Sequence, residues 1–522
     1  MRFVNVLLAL LVSALIGLAV LEGGLRLLGL GPQRTLNQFD PVTGWSKVPG
    51  LRLARKHPDA PGKLHFQINA FGLRDDAVAT PKKPAGVFRV LALGDSFTLG
   101  FGVERDDLFV EQLERHWNRE GRKVEVWNVG TEGWSTDQEA AWLEAHGAEW
   151  QPDLVLLLPY ENDVYWNSQE AYIGGKQKPR YSSAGRLEKR ELVEVDEKTW
   201  RSRWALTKWL EPKPDASAHV FTPAGGSGRI LKEWAPLLVS PPEWLEDSRL
   251  RTVGALAAAK QQCAQLGAKL VVAPIPSHSA IDAAYRETFG KGVLRGLPAG
   301  AWSPDAPVQF FLDECGKLGI PTIDARGELR AAQAEGERLY WDKDWHFDPS
   351  GNRVFARALD AGLNERGLLP APAGERIAFQ VHEAPVREGL PRWVPVFAAL
   401  WVALSGLYMV TYPKESRLLV PLKIGALLAC IFSIVLGLDA LVGALPPAVG
   451  RGLLVVFVLG ILGFVAWKLG NRLGTIAELL KAFTLRGHWY LMPLVVILLT
   501  IGSLLVVAAS SPLVAPFIYT LF

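Results

Sequence analysis

Hydrophobic positions along the chain fall into three patterns. Val4 to Leu21 is an almost unbroken apolar run behind Arg2, close to the roughly 20 residues that cross the hydrocarbon core of a bilayer. Between about residues 88 and 368 the apolar runs shorten to Arg89–Leu93, Val124–Val129, Leu154–Leu158, Leu270–Ala273 and Pro321–Ile323. Such short aliphatic runs are how strands buried on both faces read. Segments of helical pattern lie between or after them, at Asp107–Arg119, Thr136–His146, Pro242–Leu266, Pro307–Leu318 and Pro349–Glu365. Strand followed by helix, repeated, predicts a doubly wound, three-layer α/β/α domain on a parallel sheet. From Pro391 onward long apolar stretches return, at Trp393–Val410, Leu418–Leu441, Leu453–Trp467 and Tyr490–Ala509. In succession they leave too few polar faces for a soluble bundle, so five membrane spans are expected in all.

These patterns divide the chain into an N-terminal membrane anchor (1–30), a lead-in segment (31–87) expected to pack on the next domain, an α/β domain (88–390) and a C-terminal four-span region (391–522). Residues 166–240 interrupt the alternation with a mixed-charge stretch (Arg186–Arg203) and a glycine-rich turn (Ala224–Gly228). This insertion reads equally as a lid over a site or as a solvated decoration. No small-x-small cleavage site stands near Gly23 and Gly24, so the first span is read as an uncleaved anchor; a cleaved signal peptide would export the chain just as well. Cytoplasmic loops collect Lys and Arg. With the α/β domain outside, Lys414 and Arg417, and then Lys468, Arg472, Lys481 and Arg486, face the cytoplasm, in agreement with Arg2. Trp393, Trp467, Trp489 and Tyr490 stand at span ends, where amphipathic rings favour the interface. The expected location is the cytoplasmic membrane, with the α/β domain on its extracytoplasmic, periplasmic face.

Composition narrows the chemistry. The 522 residues are 49% hydrophobic, and 56 basic against 53 acidic side chains leave a net charge of only +3. No cationic stripe is present, which excludes a nucleic-acid partner on electrostatic grounds. The three cysteines, Cys263, Cys315 and Cys430, have no CxxC or CxxH spacing, so no zinc site or disulfide scaffold is indicated. No metal and no cofactor is expected. Cys263 and Cys315 read as small buried apolar residues rather than as a pair.

Candidate chemistry sits just beyond the expected strands, where open α/β sheets bind ligands. The first strand runs into Gly94-Asp95-Ser96, a serine in the turn after a buried strand. The second ends in Asn128-Val129-Gly130-Thr131-Glu132-Gly133. Those glycines permit a tight turn and offer unobstructed N–H groups, although a helix cap by Ser135 or Thr136 fits the same letters. The third ends in Tyr160-Glu161-Asn162-Asp163, where Asn162 is either a donor into the cleft or a cap. Near the end of the domain Asp344-Trp345-His346 precedes a helix with Asp348 at its N-cap and Pro349 at its first position. A serine hydroxyl becomes a nucleophile when an imidazole takes its proton and a carboxylate fixes that imidazole's tautomer. The assignment is Ser96 as nucleophile, His346 as general base and then acid, and Asp344 as the orienting carboxylate. The backbone N–H groups of Ser96 and Gly133 and the Asn162 amide would form the oxyanion hole.

The four blocks, in this order, resemble the SGNH hydrolase family, also called GDSL esterases, over roughly residues 65–368, with Ser96, Gly133, Asn162 and His346 at the four positions that name it. The resemblance implies a flavodoxin-like sheet and an ester-bond hydrolase or O-acyltransferase. Asn69-Ala70-Phe71-Gly72-Leu73-Arg74-Asp75 is similar to the lead-in of membrane-tethered members. Two positions depart from the pattern. Tyr160 stands where a glycine is usual two residues before the Asn, and Lys343 stands where many members place the triad acid. Asp344 matches the Asp-x-His variant of relatives acting on polysaccharide O-acetyl groups, with Asp342 as the weaker alternative. Residues from about Ile476 to Phe522 are similar to a small uncharacterised bacterial membrane family, of a kind associated with envelope polysaccharide clusters. The expected activity is therefore a serine esterase acting on acyl esters, O-acetyl above all, of an envelope carbohydrate or lipid. The alternatives are an O-acetyltransferase using the same acyl-serine, or a non-catalytic membrane assembly or scaffold protein. Expected partners are the acyl-ester substrate, an envelope polysaccharide, the lipid bilayer and membrane proteins of polysaccharide biosynthesis.

Overall fold

The computed structural model describes residues 35–443 except 61, 76–79, 189–190, 195–203, 205–206, 208–218, 380–392 and 412–414, together with Leu18 and Glu22. The chain falls into two compact units, one of residues 32–203 and 210–386, the other of residues 1–31, 204–209 and 387–522.

The first unit opens with structure that no hydrophobic periodicity announced. Two antiparallel pairs, β1 (Asn37–Asp40) with β2 (Gly44–Lys47) and β3 (Arg52–Lys56) with β4 (Lys63–Gln67), precede the expected first strand. Then follow β5 (Phe88–Gly94), α1 (Ser96–Leu99), α2 (Phe109–Arg119), β6 (Val124–Asn128), α3 (Thr136–Trp150), β7 (Leu154–Leu158) and α4 (Asp163–Trp166). The insertion holds the short pair β8 (Val220–Phe221) and β9 (Ile230–Leu231). After it come α5 (Leu245–Leu266), β10 (Lys269–Val272), α6 (His278–Ile281), α7 (Ala283–Gly292), α8 (Ala306–Leu318), α9 (Arg326–Ala334) and α10 (Pro349–Glu365).

Four strands make the central sheet, all parallel, in the order β10-β7-β5-β6. In chain order that is 2-1-3-4, the flavodoxin-like arrangement, whose switch point lies between β5 and β7. Successive residues of each strand enter opposite cores, because side chains alternate across a sheet. Val90, Ala92, Leu154 and Leu156 pack with Leu113, Trp117, Phe355 and Leu359 of α2 and α10. Leu91, Leu93, Val155 and Leu157 pack with Leu143, Leu256 and Ala259 of α3 and α5. Two apolar faces on one strand explain why the runs read as continuous rather than alternating. The expected fifth strand is corrected: Pro321–Ile323 joins β10 only through a bridge between Val272 and Thr322. Val272 N–H donates to Pro321 O and Ile323 N–H to Val272 O, each at 3.0 Å. Pro321 has no N–H to extend that ladder. Cys263 and Cys315 are free, buried thiols.

In the second unit, α11 (Trp393–Thr411) and α12 (Leu419–Gly443) fall on two of the apolar stretches singled out as spans. Val420, Ile424 and Leu428 pack with Phe397 and Leu404. Among the described residues no helix is long and apolar enough to cross a membrane. The other three expected spans lie outside the described residues, apart from Leu18.

Candidate active site

Ser96 owes its position to the end of β5. Asp95 caps α1, its carboxylate accepting from Phe97 N–H at 2.8 Å, so Ser96 becomes the first helical residue above the sheet. Its hydroxyl lies 2.7 Å from His346 Nε2. The histidine comes from a narrow loop drawn together by Trp341 N–H donating to His346 O (3.1 Å) and Asp348 N–H donating to Leu339 O (3.0 Å). Asp348 then caps α10 through Gly351 N–H at 2.9 Å, with Pro349 at its first position, as the sequence predicts. Phe97 and Phe101 hold the imidazole between ring centroids at 4.7 and 5.3 Å.

Asp344 accepts from both the backbone N–H of His346, at 3.2 Å, and its ring Nδ1. That bond leaves Nε2 as the acceptor facing the serine hydroxyl. Burial disfavours the Asp344 charge, but the His346 hydrogen bonds and the nearby His346 and His57 rings outweigh it, drawing this carboxyl down to about 2. Asp342 does not share the role: it is 74% exposed and faces Arg338. Lys343, at the family's usual acid position, is 71% exposed.

A second histidine completes the carboxylate. Asp344 Oδ2 is 3.1 Å from His57 Nε2. The other nitrogen of His57, Nδ1, accepts from Asp59 N–H (3.3 Å) and Ala60 N–H (3.2 Å), so the ring proton of a neutral His57 belongs on Nε2, aimed at Asp344. Asp59 in turn accepts from Lys343 N–H (2.9 Å) and Asp344 N–H (3.1 Å). Neither residue was singled out in the sequence, because no spacing rule ties positions 57 and 59 to a loop near 344.

Gly133 and Asn162 stand on the loops after β6 and β7, the two strands that flank β5. Among the described residues no hydrogen bond joins either to Ser96, His346 or Asp344. Asn162 makes no side-chain cap for α4. Beneath it, Asp163 accepts from Thr136 N–H (3.1 Å) and the Thr136 hydroxyl (2.9 Å), tying this loop to the start of α3. Gly133 has φ +76°, and a Cβ there would stand 3.0 Å from the ring of Tyr172. Gly130 is equally constrained, since its Cβ would meet Leu99 N at 2.3 Å. The capping reading also holds in part: Gln138 Oε1 accepts from Ser135 N–H at 3.2 Å, so one loop supplies both the glycine turn and a helix cap.

The lead-in builds the underside of these loops. Buried Lys47 donates to Val129 O (3.1 Å), Gly130 O (2.5 Å) and the Thr131 hydroxyl (2.8 Å). Burial, then Arg74, lowers its ammonium to about 7. Arg74 donates to Leu99 O (2.8 Å), Gly100 O (2.5 Å) and Val103 O (2.8 Å) just beyond Ser96. Glu161, buried beside Asn162, is raised to about 7 by burial against hydrogen bonds from Ser277 and Tyr160. Among the described residues no group of three His, Cys, Asp or Glu side chains is placed to hold a metal ion.

Residues 245–396, which include Asp344 and His346, match the family described as an SGNH hydrolase-like domain, acetyltransferase AlgX. Residues 473–522 match a family of unknown function, DUF5989. No curated protein matches the chain. Among solved structures the chain is similar to TesA, at 13% identity over 54% of this chain and 99% of that one, with a TM-score of 0.30. It is also similar to the acetyl xylan esterase AlAXEase, at 13% identity over 53% and 100% of the two chains and a TM-score of 0.30. A third is a catalytic mutant of Axe2, an acetylxylan esterase from Geobacillus stearothermophilus, at 12% identity over 54% and 97% and a TM-score of 0.29.

Proposed function

We propose that this chain, which carries an SGNH hydrolase-like domain, is a serine esterase that removes acyl groups, O-acetyl above all, from an envelope carbohydrate or lipid. The observation that carries this reading is the line of contacts from Ser96 Oγ to His346 Nε2 at 2.7 Å, from His346 Nδ1 to Asp344, and from Asp344 to His57 at 3.1 Å. As Ser96 Oγ attacks the ester carbonyl, His346 Nε2 takes its proton, and the carbonyl oxygen becomes an oxyanion facing the N–H groups of Ser96 and Gly133 and the Asn162 amide. Collapse breaks the bond to the alcohol, which receives the proton from His346. Water then attacks the acyl-Ser96 carbonyl as His346 takes one of its protons; the bond from the acyl carbon to Ser96 Oγ breaks, His346 returns that proton to Ser96 Oγ, and the acid product leaves. Asp344 stays ionised throughout and holds the imidazole in one tautomer.

The purified full chain is expected to hydrolyse p-nitrophenyl acetate and Ser96→Ala to lose that activity; equal rates in the two proteins would refute the assignment. Transfer to a sugar hydroxyl in place of water is favoured by the match of residues 245–396 to a family described as an acetyltransferase. Acetate found on an added glycan, rather than free in solution, decides for transfer. The long apolar stretches and their flanking basic residues support a cytoplasmic-membrane location with the α/β domain on the outer face, where an envelope polysaccharide would be within reach.

A further inference from the structure

In a trans peptide the C=O and the N–H point in opposite directions, so a bond to one end fixes where the other end aims. The peptide that joins Glu132 to Gly133 carries at one end the Gly133 N–H, read above as a donor of the oxyanion hole. At its other end, Glu132 O accepts from the indole Nε1–H of Trp45 at 2.9 Å. Trp45 stands in β2 of the lead-in, 87 residues away along the chain, and is only 3% exposed. The turn around this peptide is of a kind that can flip. Trp134 N–H donates to Thr131 O at 3.1 Å, which closes a four-residue β-turn with Glu132 and Gly133 at its centre. Gly133 has φ +76° and Glu132 does not share a positive φ, so the turn is type II. Types I and II differ by a flip of the central peptide. Such a flip would carry the Gly133 N–H to the opposite side of the turn and break the bond to Trp45. Other contacts of the β1–β2 hairpin hold the frame but not this peptide: Thr43 O accepts from Gln138 Nε2 at 2.7 Å and Trp45 O from Trp134 Nε1 at 2.9 Å.

We propose that Trp45 is a positioning residue for the oxyanion hole: its indole N–H holds the Glu132–Gly133 peptide in the type II orientation and so keeps the Gly133 N–H on the reacting carbonyl oxygen. On the esterase reading, on which this role rests, the lead-in hairpin becomes part of the catalytic apparatus. A bond to the carbonyl also polarises the peptide and strengthens its N–H as a donor. Acylation and deacylation both pass through an oxyanion, so loss of the Trp45 bond slows both steps.

The test is hydrolysis of p-nitrophenyl acetate by the full chain, with rates referred to the sites that a fluorophosphonate probe labels at completion, so that only folded enzyme is counted. Trp45→Phe keeps a buried ring and removes the N–H to Glu132 O. Trp134→Phe removes a bond of the same length between the same two segments, 2.9 Å, and leaves the Glu132–Gly133 peptide held. Trp45→Phe is expected to lower kcat about tenfold with KM unchanged, a loss confined to the transition state. Trp134→Phe is expected to stay within about twofold of wild type, as removal of a bond outside the oxyanion hole should. A Trp45→Phe rate no lower than that of Trp134→Phe, or a loss that falls on KM, would overturn the positioning role and leave the esterase standing. A wild-type chain that does not hydrolyse the ester overturns both.

Discussion

Asp344 has a histidine on each carboxylate oxygen, His346 through Nδ1 and His57 through Nε2. The first contact sets the tautomer of the base. The second is a hydrogen bond to the other oxygen, which opposes rotation of the carboxylate, and it comes from a segment more than 280 residues away in sequence. His57 is thus a positioning residue, and its substitution should act on turnover rather than on substrate binding. His57→Phe is expected to lower kcat about tenfold with KM unchanged, a loss confined to the transition state. His57→Gln, whose amide can still donate to Asp344, is expected to restore most of it. A fall in KM and kcat together, or no rescue by Gln, would mark a merely structural role. That Ser96, His346 and Asp344 come together was legible in the sequence, because each stands in a short motif beside an expected strand or helix. His57 was not, because its function exists only where two distant loops touch.

At the scale of elements, the lead-in packs on the α/β domain as expected, but its two strand pairs were not anticipated. Its strands are short and its polar residues do not alternate cleanly, since Lys47 and Arg74 point inward to loop carbonyls instead of outward to water. Such inward cations break the rule on which periodicity depends. The cost shows in the titration of Lys47, lowered to about 7 by burial first and then by Arg74. An unfolded lysine titrates near ~10.4, so between those values the unfolded chain holds the extra proton and stability rises with pH. The stability that Lys47 contributes is complete above the unfolded value and lost as the pH falls through about 7. Thermal unfolding of wild type and Lys47→Met, followed across that interval, is expected to show the slope in wild type and its loss in the variant; parallel curves would exclude it. The insertion departs less from expectation. Within it, Tyr172 packs over Gly133.

For the whole molecule, the proposed topology is open to direct test. Alkaline phosphatase fused after Glu375 is expected to be active and a fusion after Arg417 inactive, since the enzyme folds only outside the cytoplasm; the reverse pattern would refute the orientation. Four of the five expected buried strands, the parallel sheet and the residues at the strand ends were determined by the sequence alone. Burial on both faces writes an unmistakable apolar run, and a turn after such a run can lead to only one edge of the sheet. Tertiary structure alone decided what meets Asp344 from behind, with His57 3.1 Å from its second oxygen, and where the inward cations Lys47 and Arg74 find their acceptors. Those are matters of hydrogen-bond distance between segments far apart in the chain, and local pattern records the burial of a residue without recording its partner.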